Sequence, residues 1–181
     1  RYYPNSRMTL YNINKIRKDD LRRSLGMVLQ DTWLFEGTIA ENIAYGKPDA
    51  TREEIVAAAK AARVDFFVRT MPKGYDTVLG NDTENISVGQ RQLLTIARAF
   101  LSDPEILILD DSTSAVDTAT EAQIRKAFRT SLKDTTKFII AQRISSVEDA
   151  DKIIVLDDGK IIGMGTHNEL LGSCEAYREI Y

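Results

Sequence analysis

Two aspartates, Asp110 and Asp111, follow the apolar run Ile106-Leu-Ile-Leu109 with no spacer. Such a run reads as a strand buried on both faces of a parallel sheet. Its carboxyl end is the edge where open α/β sheets bind ligands. An acid pair there serves a metal ion, a phosphate held through a metal, or proton transfer. A solvated Asp-Asp turn is the plainer alternative. A second candidate is Ile86-Ser-Val-Gly-Gln90. Ser87 suits a helix N-cap, and the first amides of that helix, those of Val88, Gly89 and Gln90, would point off its start, where an anion is favoured. An ordinary capped helix has the same signature. The third is Trp33-Leu-Phe35, an apolar cluster in a polar loop just after Gln30. It reads either as a plug under the domain or as a surface for another protein.

The elements that must position these residues follow from pattern. Met8–Ile13 alternates as a short edge strand, and Lys18–Arg23 is a charged turn or helix. Leu25–Leu29 is a second buried-strand candidate with Gln30 at its end. Thr38 with Glu41 and Thr51 with Glu54 are capping boxes that open two helices, and Val64–Met71 continues the helical character until Pro72-Lys-Gly74. After a polar loop, 79–85, the helix begun at Ser87 buries Leu93, Ile96, Ala97, Phe100 and Leu101 on one face, and Asp103-Pro104 ends it. Beyond the acids come a helix over Thr118–Leu132, a strand over Lys137–Ala141 ending at Gln142-Arg143, and a short helix over Ser145–Asp149. Strands Lys152–Leu156 and Lys160–Gly165 flank Asp158-Gly159, a two-residue hairpin signal. A capping box at Thr166 and Glu169 opens the helical end of the chain. Strands alternating with helices predict an α/β fold with a mostly parallel sheet and flanking helices.

Composition narrows the function. The 181 residues suit one domain with a real core, 43% hydrophobic and 28% charged. A net charge of −3 offers no basic footprint for nucleic acid. One cysteine, Cys174, excludes an internal disulfide. No apolar run reaches the roughly 20 residues of a membrane helix. The opening Arg1-Tyr-Tyr-Pro4 lacks an initiator Met and is expected to be cut from something longer.

The order strand-Gln30, helical insert, Ser87-Val-Gly-Gln90, Asp103-Pro104, strand-Asp110-Asp111, Ser114-Ala-Val-Asp117, strand-Ala141-Gln142-Arg143 resembles the nucleotide-binding domain of ATP-binding cassette (ABC) transporters. Leu34-Phe35, Gly37-Thr-Ile39, Glu41-Asn-Ile43 and Gly165-Thr-His167 resemble the exporter branch. The resemblance covers essentially the whole chain and implies a P-loop NTPase-like fold. Residues 38–101 would be the inserted helical subdomain, and 1–37 with 102–181 the ATPase core lobe. ATP and Mg²⁺ are the implied cofactors. Gln30 would be the Q-loop residue that reaches Mg²⁺, and Trp33, Leu34 and Phe35 would meet the coupling helix of a transmembrane domain. Residues 86–90 would be the signature motif, with Ser87, Gly89 and Gln90 contacting the nucleotide held by a second cassette in a head-to-tail dimer. Asp110 would help hold Mg²⁺ through water, and Ser114–Asp117 would be the D-loop, placing Asp117 near the nucleotide. The location implied is the cytoplasmic face of a cell membrane.

Departures from the family pattern carry as much information. No Gly-x-x-x-x-Gly-Lys-Ser/Thr occurs, so the chain alone is expected to bind ATP poorly and to be inactive. The general-base position, normally Glu, is Asp111, shorter by one C–C bond or about 1.5 Å. The switch histidine is replaced by Gln142, which hydrogen-bonds but takes up no proton. Both changes fall on one site and match the degenerate half of a heterodimeric exporter, binding ATP and hydrolysing it poorly. Val88 replaces the first signature glycine, lacks that residue's freedom at positive φ and adds bulk. The competing readings are a soluble ABC ATPase acting on DNA or ribosomes, and a non-hydrolytic, nucleotide-gated regulatory module. His167 and Cys174 read as structural, and Arg143 as either an interface contact or a surface charge.

Overall fold

A computed structural model of the chain describes residues 13–80 and 86–180. The strand expected over 8–13 lies outside the described residues except for Ile13, which opens a 3-10 turn, Ile13–Lys15. The polar loop expected over 79–85 is described only at Leu79 and Gly80. In chain order come α1 (Lys18–Ser24), β1 (Leu25–Val28), β2 (Gly37–Thr38), α2 (Ile39–Ala44), α3 (Arg52–Ala61), α4 (Asp65–Thr70) and β3 (Val78–Leu79). These are followed by α5 (Val88–Ser102), β4 (Ile106–Asp110), α6 (Thr118–Ser131), β5 (Thr136–Ile140), β6 (Ile153–Asp157), β7 (Lys160–Gly165), α7 (His167–Ser173) and α8 (Glu175–Ile180).

The predicted α/β architecture is present. β1, β4 and β5 form a parallel sheet in the order β1-β4-β5. β6 and β7 pair antiparallel through Asp158-Gly159, whose φ values of 44° and 72° are those of a type I′ hairpin turn. β2 and β3, two residues each, pair antiparallel and were not foreseen. A single register of two residues is too short to leave an alternating pattern in the sequence. The short helix expected over 145–149 is instead a 3-10 turn at Ile144–Ser146.

Local chemistry accounts for the helix starts. Thr38, Thr51 and Thr166 each accept a hydrogen bond from the backbone N–H three residues on, and Glu41, Glu54 and Glu169 return the favour to the cap's own N–H. Those hydrogen bonds hold the carboxyls of Glu41 and Glu169 below the ordinary range. In Glu54 the larger cause is the hydrogen bond from Lys47, with the Thr51 amide second.

The sheet is covered on one face, which corrects the expectation of strands buried on both. Leu107 and Leu109 are buried with Val28 against α5 and α6, where Leu94, Ile96, Ile124 and Phe128 complete the core. Gly26 is needed on that face, because a Cβ there would stand 2.6 Å from Pro104 Cγ. The other face carries Met27, Ile108 and Phe138 in register, and Met27 and Phe138 are 58% and 59% exposed. Its apolar character suits a two-sided sheet, and among the described residues Met27 and Phe138 stand uncovered on it. Helix α5 departs in the opposite direction. Gln92, Leu94, Thr95 and Ala99 are buried along with Ile96, Ala97 and Leu101, so the helix is enclosed rather than one-sided.

His167 and Cys174, expected to be structural, lie in packed contacts near the carboxyl end. His167 Nδ1 lies 2.9 Å from the Tyr177 hydroxyl, and buried Cys174 shares a small second core with Tyr177, Leu170 and Val155.

Candidate functional site at the carboxyl edge of the parallel sheet

Parallel register brings four of the predicted residues to one edge. Val28 pairs with Leu109, and Asp110 with Ile140. Gln30, Asp110-Asp111 and Gln142 therefore leave the carboxyl ends of three adjacent strands, neighbours at about 4.8 Å spacing. Gln30 and Gln142 are exposed, while Asp110 and Asp111 are half-buried. Asp111 takes a left-handed backbone, φ 43°, with its N–H donating to Ile140 O at 2.9 Å. Aspartate tolerates that conformation better than most residues. The turn then closes as Ser114 N–H donates to Asp111 O.

The fit to Mg²⁺ follows from this donor set. Mg²⁺ keeps several waters and takes one or two carboxylates plus substrate phosphate oxygens. Among the described residues no three acidic, histidine or cysteine side chains gather into a cage. One half-buried carboxylate, Asp110, with an amide oxygen from the next strand's end is a set of the kind Mg²⁺ accepts.

Helix α5 carries the second predicted group. Ser87 caps it, accepting from Gln90 N–H at 3.1 Å, and Gln90 Oε1 accepts from Ser87 N–H at 3.0 Å. The expectation of three outward amides is corrected here, since the Gln90 N–H is taken by Ser87. The amides of Val88 and Gly89, in the first turn, and the Ser87 hydroxyl proton are the donors suited to an outside acceptor. Val88 lies within the helix, with no positive φ, so a glycine's backbone freedom is not required there. Its side chain is half exposed, so only the bulk argument stands.

The loop after β4 lies against this helix start. A Cβ on Gly89 would fall 2.6 Å from Ala115 O. Asp117, the predicted D-loop aspartate, caps α6 through the Thr120 N–H, and hydrogen bonds from Thr120 hold its carboxyl below the usual range. Arg143 is a tie rather than a free surface charge. It donates to Thr113 O at 3.2 Å and pairs with Glu121, a buried carboxylate that also accepts from Ser146 Oγ at 2.6 Å. It thereby joins the loop after β5 to the loop after β4.

Trp33, Leu34 and Phe35 divide between the two readings offered by the sequence. Leu34 packs against the core, whereas Trp33 is 75% exposed. Phe35 stacks between Trp33 and Tyr45, at centroid distances of 6.0 and 4.2 Å. Beneath them sits Arg98 of α5, which sequence reasoning missed. It donates to Trp33 O, Asn42 O and Asn42 Oδ1, and lies 5.2 Å from the Phe35 ring centre. Burial pushes its guanidinium down to about 10. Asn42 is also missed, although it ties Phe35 N–H and Phe35 O back to α2. The local signal for Arg98 is a cation in a stretch, 92–102, that is otherwise uncharged.

Comparison with known proteins agrees with this fold. Residues 5–114 match the family model described as ABC transporter. The chain is 54% identical over 169 residues to the fatty acid ABC transporter ATP-binding/permease protein of Mycobacterium bovis, covering 93% of this chain and 27% of that protein. It is 45% identical over 183 residues to an uncharacterised ABC transporter ATP-binding protein of Bacillus subtilis, covering 99% of this chain and 30% of that one. The chain thus spans between a quarter and a third of the relatives it matches. A solved bacterial Atm1-family ABC exporter with ATP bound superimposes with a TM-score of 0.86 at 40% identity, over 93% of this chain and 29% of that one. With the family model spanning more than half its length, this chain belongs to the ABC transporter family.

Proposed function

We propose that this chain is the carboxyl-terminal portion of an ATP-binding cassette domain in an ABC exporter, working with a second cassette as a heterodimer. ATP-driven head-to-tail dimerisation would power export of a substrate across a membrane, at its cytoplasmic face, with the cassette tethered through a transmembrane domain. Residues 38–101 would move as the helical subdomain, and the remainder as the ATPase core lobe. Because it holds no Gly-x-x-x-x-Gly-Lys-Ser/Thr, the chain taken alone is proposed to be inactive. The observation that carries the reading is the convergence of Gln30, Asp110-Asp111 and Gln142 on one edge of a parallel sheet, with a separately capped helix start facing outward at Ser87.

Roles follow from position. Mg²⁺ neutralises charge on the ATP phosphates when bound, and Asp110 and Gln30 would hold it. Ser87, Gly89 and Gln90 would serve the nucleotide of the partner's site through the helix start and the Ser87 hydroxyl. Asp111 stands where a general base would, but its carboxylate is shorter than glutamate's by about 1.5 Å. A misplacement of ~1 Å can cost about 10²-fold in rate. Gln142 donates a hydrogen bond without taking a proton. This chain's own edge is therefore the degenerate site, and its signature serves the competent one. Trp33 and Phe35 would dock the transmembrane domain, as an exposed aromatic pair on a braced backbone can.

The test is Asp111→Glu with Gln142→His in the full transporter with its partner. Turnover at this site should rise about tenfold or more. Unchanged turnover would sink the degenerate-site reading.

A further inference from the structure

Beneath the loop after β4 lies a side chain that neither the motifs nor the family roles given above use. Gln92 sits one turn into α5 and is 1% exposed. Its Nε2 donates to Ser114 Oγ at 3.1 Å, and its Oε1 accepts from Ala115 N–H at 3.0 Å. Both ends of the amide are thus spent on two consecutive residues that are themselves exposed. The same stretch meets α5 a second time, at Gly89, where there is no room for a Cβ under Ala115 O. A buried amide with a donor and an acceptor bond to one loop fixes that loop's position along the helix axis, because sliding breaks both bonds at once.

We propose that Gln92 is a positioning residue that makes the D-loop and the signature helix of this chain a single body. The proposal rests on the reading of residues 86–90 as the signature motif. A pull on the Val88 and Gly89 amides by a partner-bound phosphate moves α5 as a unit. Gln92, about 6 Å further along the axis, carries Ser114 and Ala115 with it. The D-loop thereby keeps its position against the signature that completes the competent site, so loss of the clamp lowers turnover at that site. Arg143 ties the same loop through Thr113 O, so the loop is bonded both to the segment after β5 and to the signature helix.

The test uses the full-length protein with its partner, comparing Gln92→Leu, which keeps the packing and loses both bonds, with Gln92→Glu, which keeps the acceptor for Ala115 N–H. Gln92→Leu is expected to speed hydrogen exchange across residues 112–117 about tenfold, with 94–101 changed less than about twofold. It should lower kcat for MgATP about tenfold, with KM shifted less than about threefold. Gln92→Glu should recover most of the exchange protection. Unchanged exchange at 112–117 in Gln92→Leu would overturn the clamp, and so would faster exchange with kcat intact. A wild-type protein that hydrolyses no ATP would instead defeat the proposed function, while the exchange comparison still decides the clamp.

Discussion

At the sheet edge, Gln30 and Gln142 stand exposed and Asp110 is only half-buried. Along α5, by contrast, Ser87 and Gln90 cap each other, Gln92 grips Ser114 and Ala115, and Arg98 holds Trp33 and Asn42 by three hydrogen bonds. Among the described residues, the side-chain tie beside the edge ligands is Arg143, through Thr113 O and Glu121, whereas the helix has a scaffold over most of its length. That difference fits the proposed division of labour. A site that holds a nucleotide needs few exact distances, whereas a surface that completes a partner's site needs its donors in place beforehand.

The contrast can be broken most directly at Gly89. Gly89→Ala puts a Cβ against Ala115 O, where the neighbour is backbone and cannot swing aside. Overpacking of this kind costs about 1–3 kcal/mol. A shift of ~1 Å in the helix start should lower ATP turnover of the full transporter about 10²-fold. Wild-type turnover in that variant would mean that the helix and the loop slide freely.

A smaller effect is expected at Arg98. Arg98→Ala leaves Asn42 Oδ1 and two carbonyls short of a donor, and should destabilise the fold by about 2–3 kcal/mol in denaturant unfolding. Arg98→Lys should recover less than half of that loss, since one ammonium cannot span three acceptors in a fork. Full recovery would reduce Arg98 to a buried charge with no geometric role.

The smallest effect concerns acid. The carboxyls of Glu41, Glu54 and Glu169 are lowered in the fold, so their contribution is present above the ordinary carboxylate value and lost as pH falls through the lowered ones. The α5 box uses Gln90, which does not titrate. Hydrogen exchange between about pH 6 and about pH 3, corrected for intrinsic rates, should show the starts of α2, α3 and α7 fraying while the start of α5 keeps its protection. Equal fraying at all four would show that the cap at Ser87 is not what separates them.

Much of the site was legible without coordinates because its signals are local. The three Thr–Glu boxes and Ser87 as a cap lie within four residues of their partners, and the Asp158-Gly159 hairpin declares itself by residue type. The acids after an apolar strand pointed to the sheet edge because a buried apolar run that stops at two charged residues marks where the chain leaves the core at the strand's carboxyl end. The reading failed where apolar composition was taken for burial, as at Met27 and Leu29, and where a single helical period was taken for the whole environment, as at Gln92 and Thr95.

Residue type and short spacing therefore determined the fold class, the helix starts and the candidates at Asp110, Asp111 and Ser87, while Gln30 and Gln142 entered through the resemblance to the family. Tertiary structure decided which side chains brace them. Gln92 meets Ser114 across 22 positions, Arg143 meets Thr113 across 30, and Arg98 meets Asn42 and Trp33 across 56 and 65. No periodicity spans such separations. Those contacts exist because parallel strands and an enclosed helix return distant segments to one place, and a buried amide or guanidinium must then find its partners there.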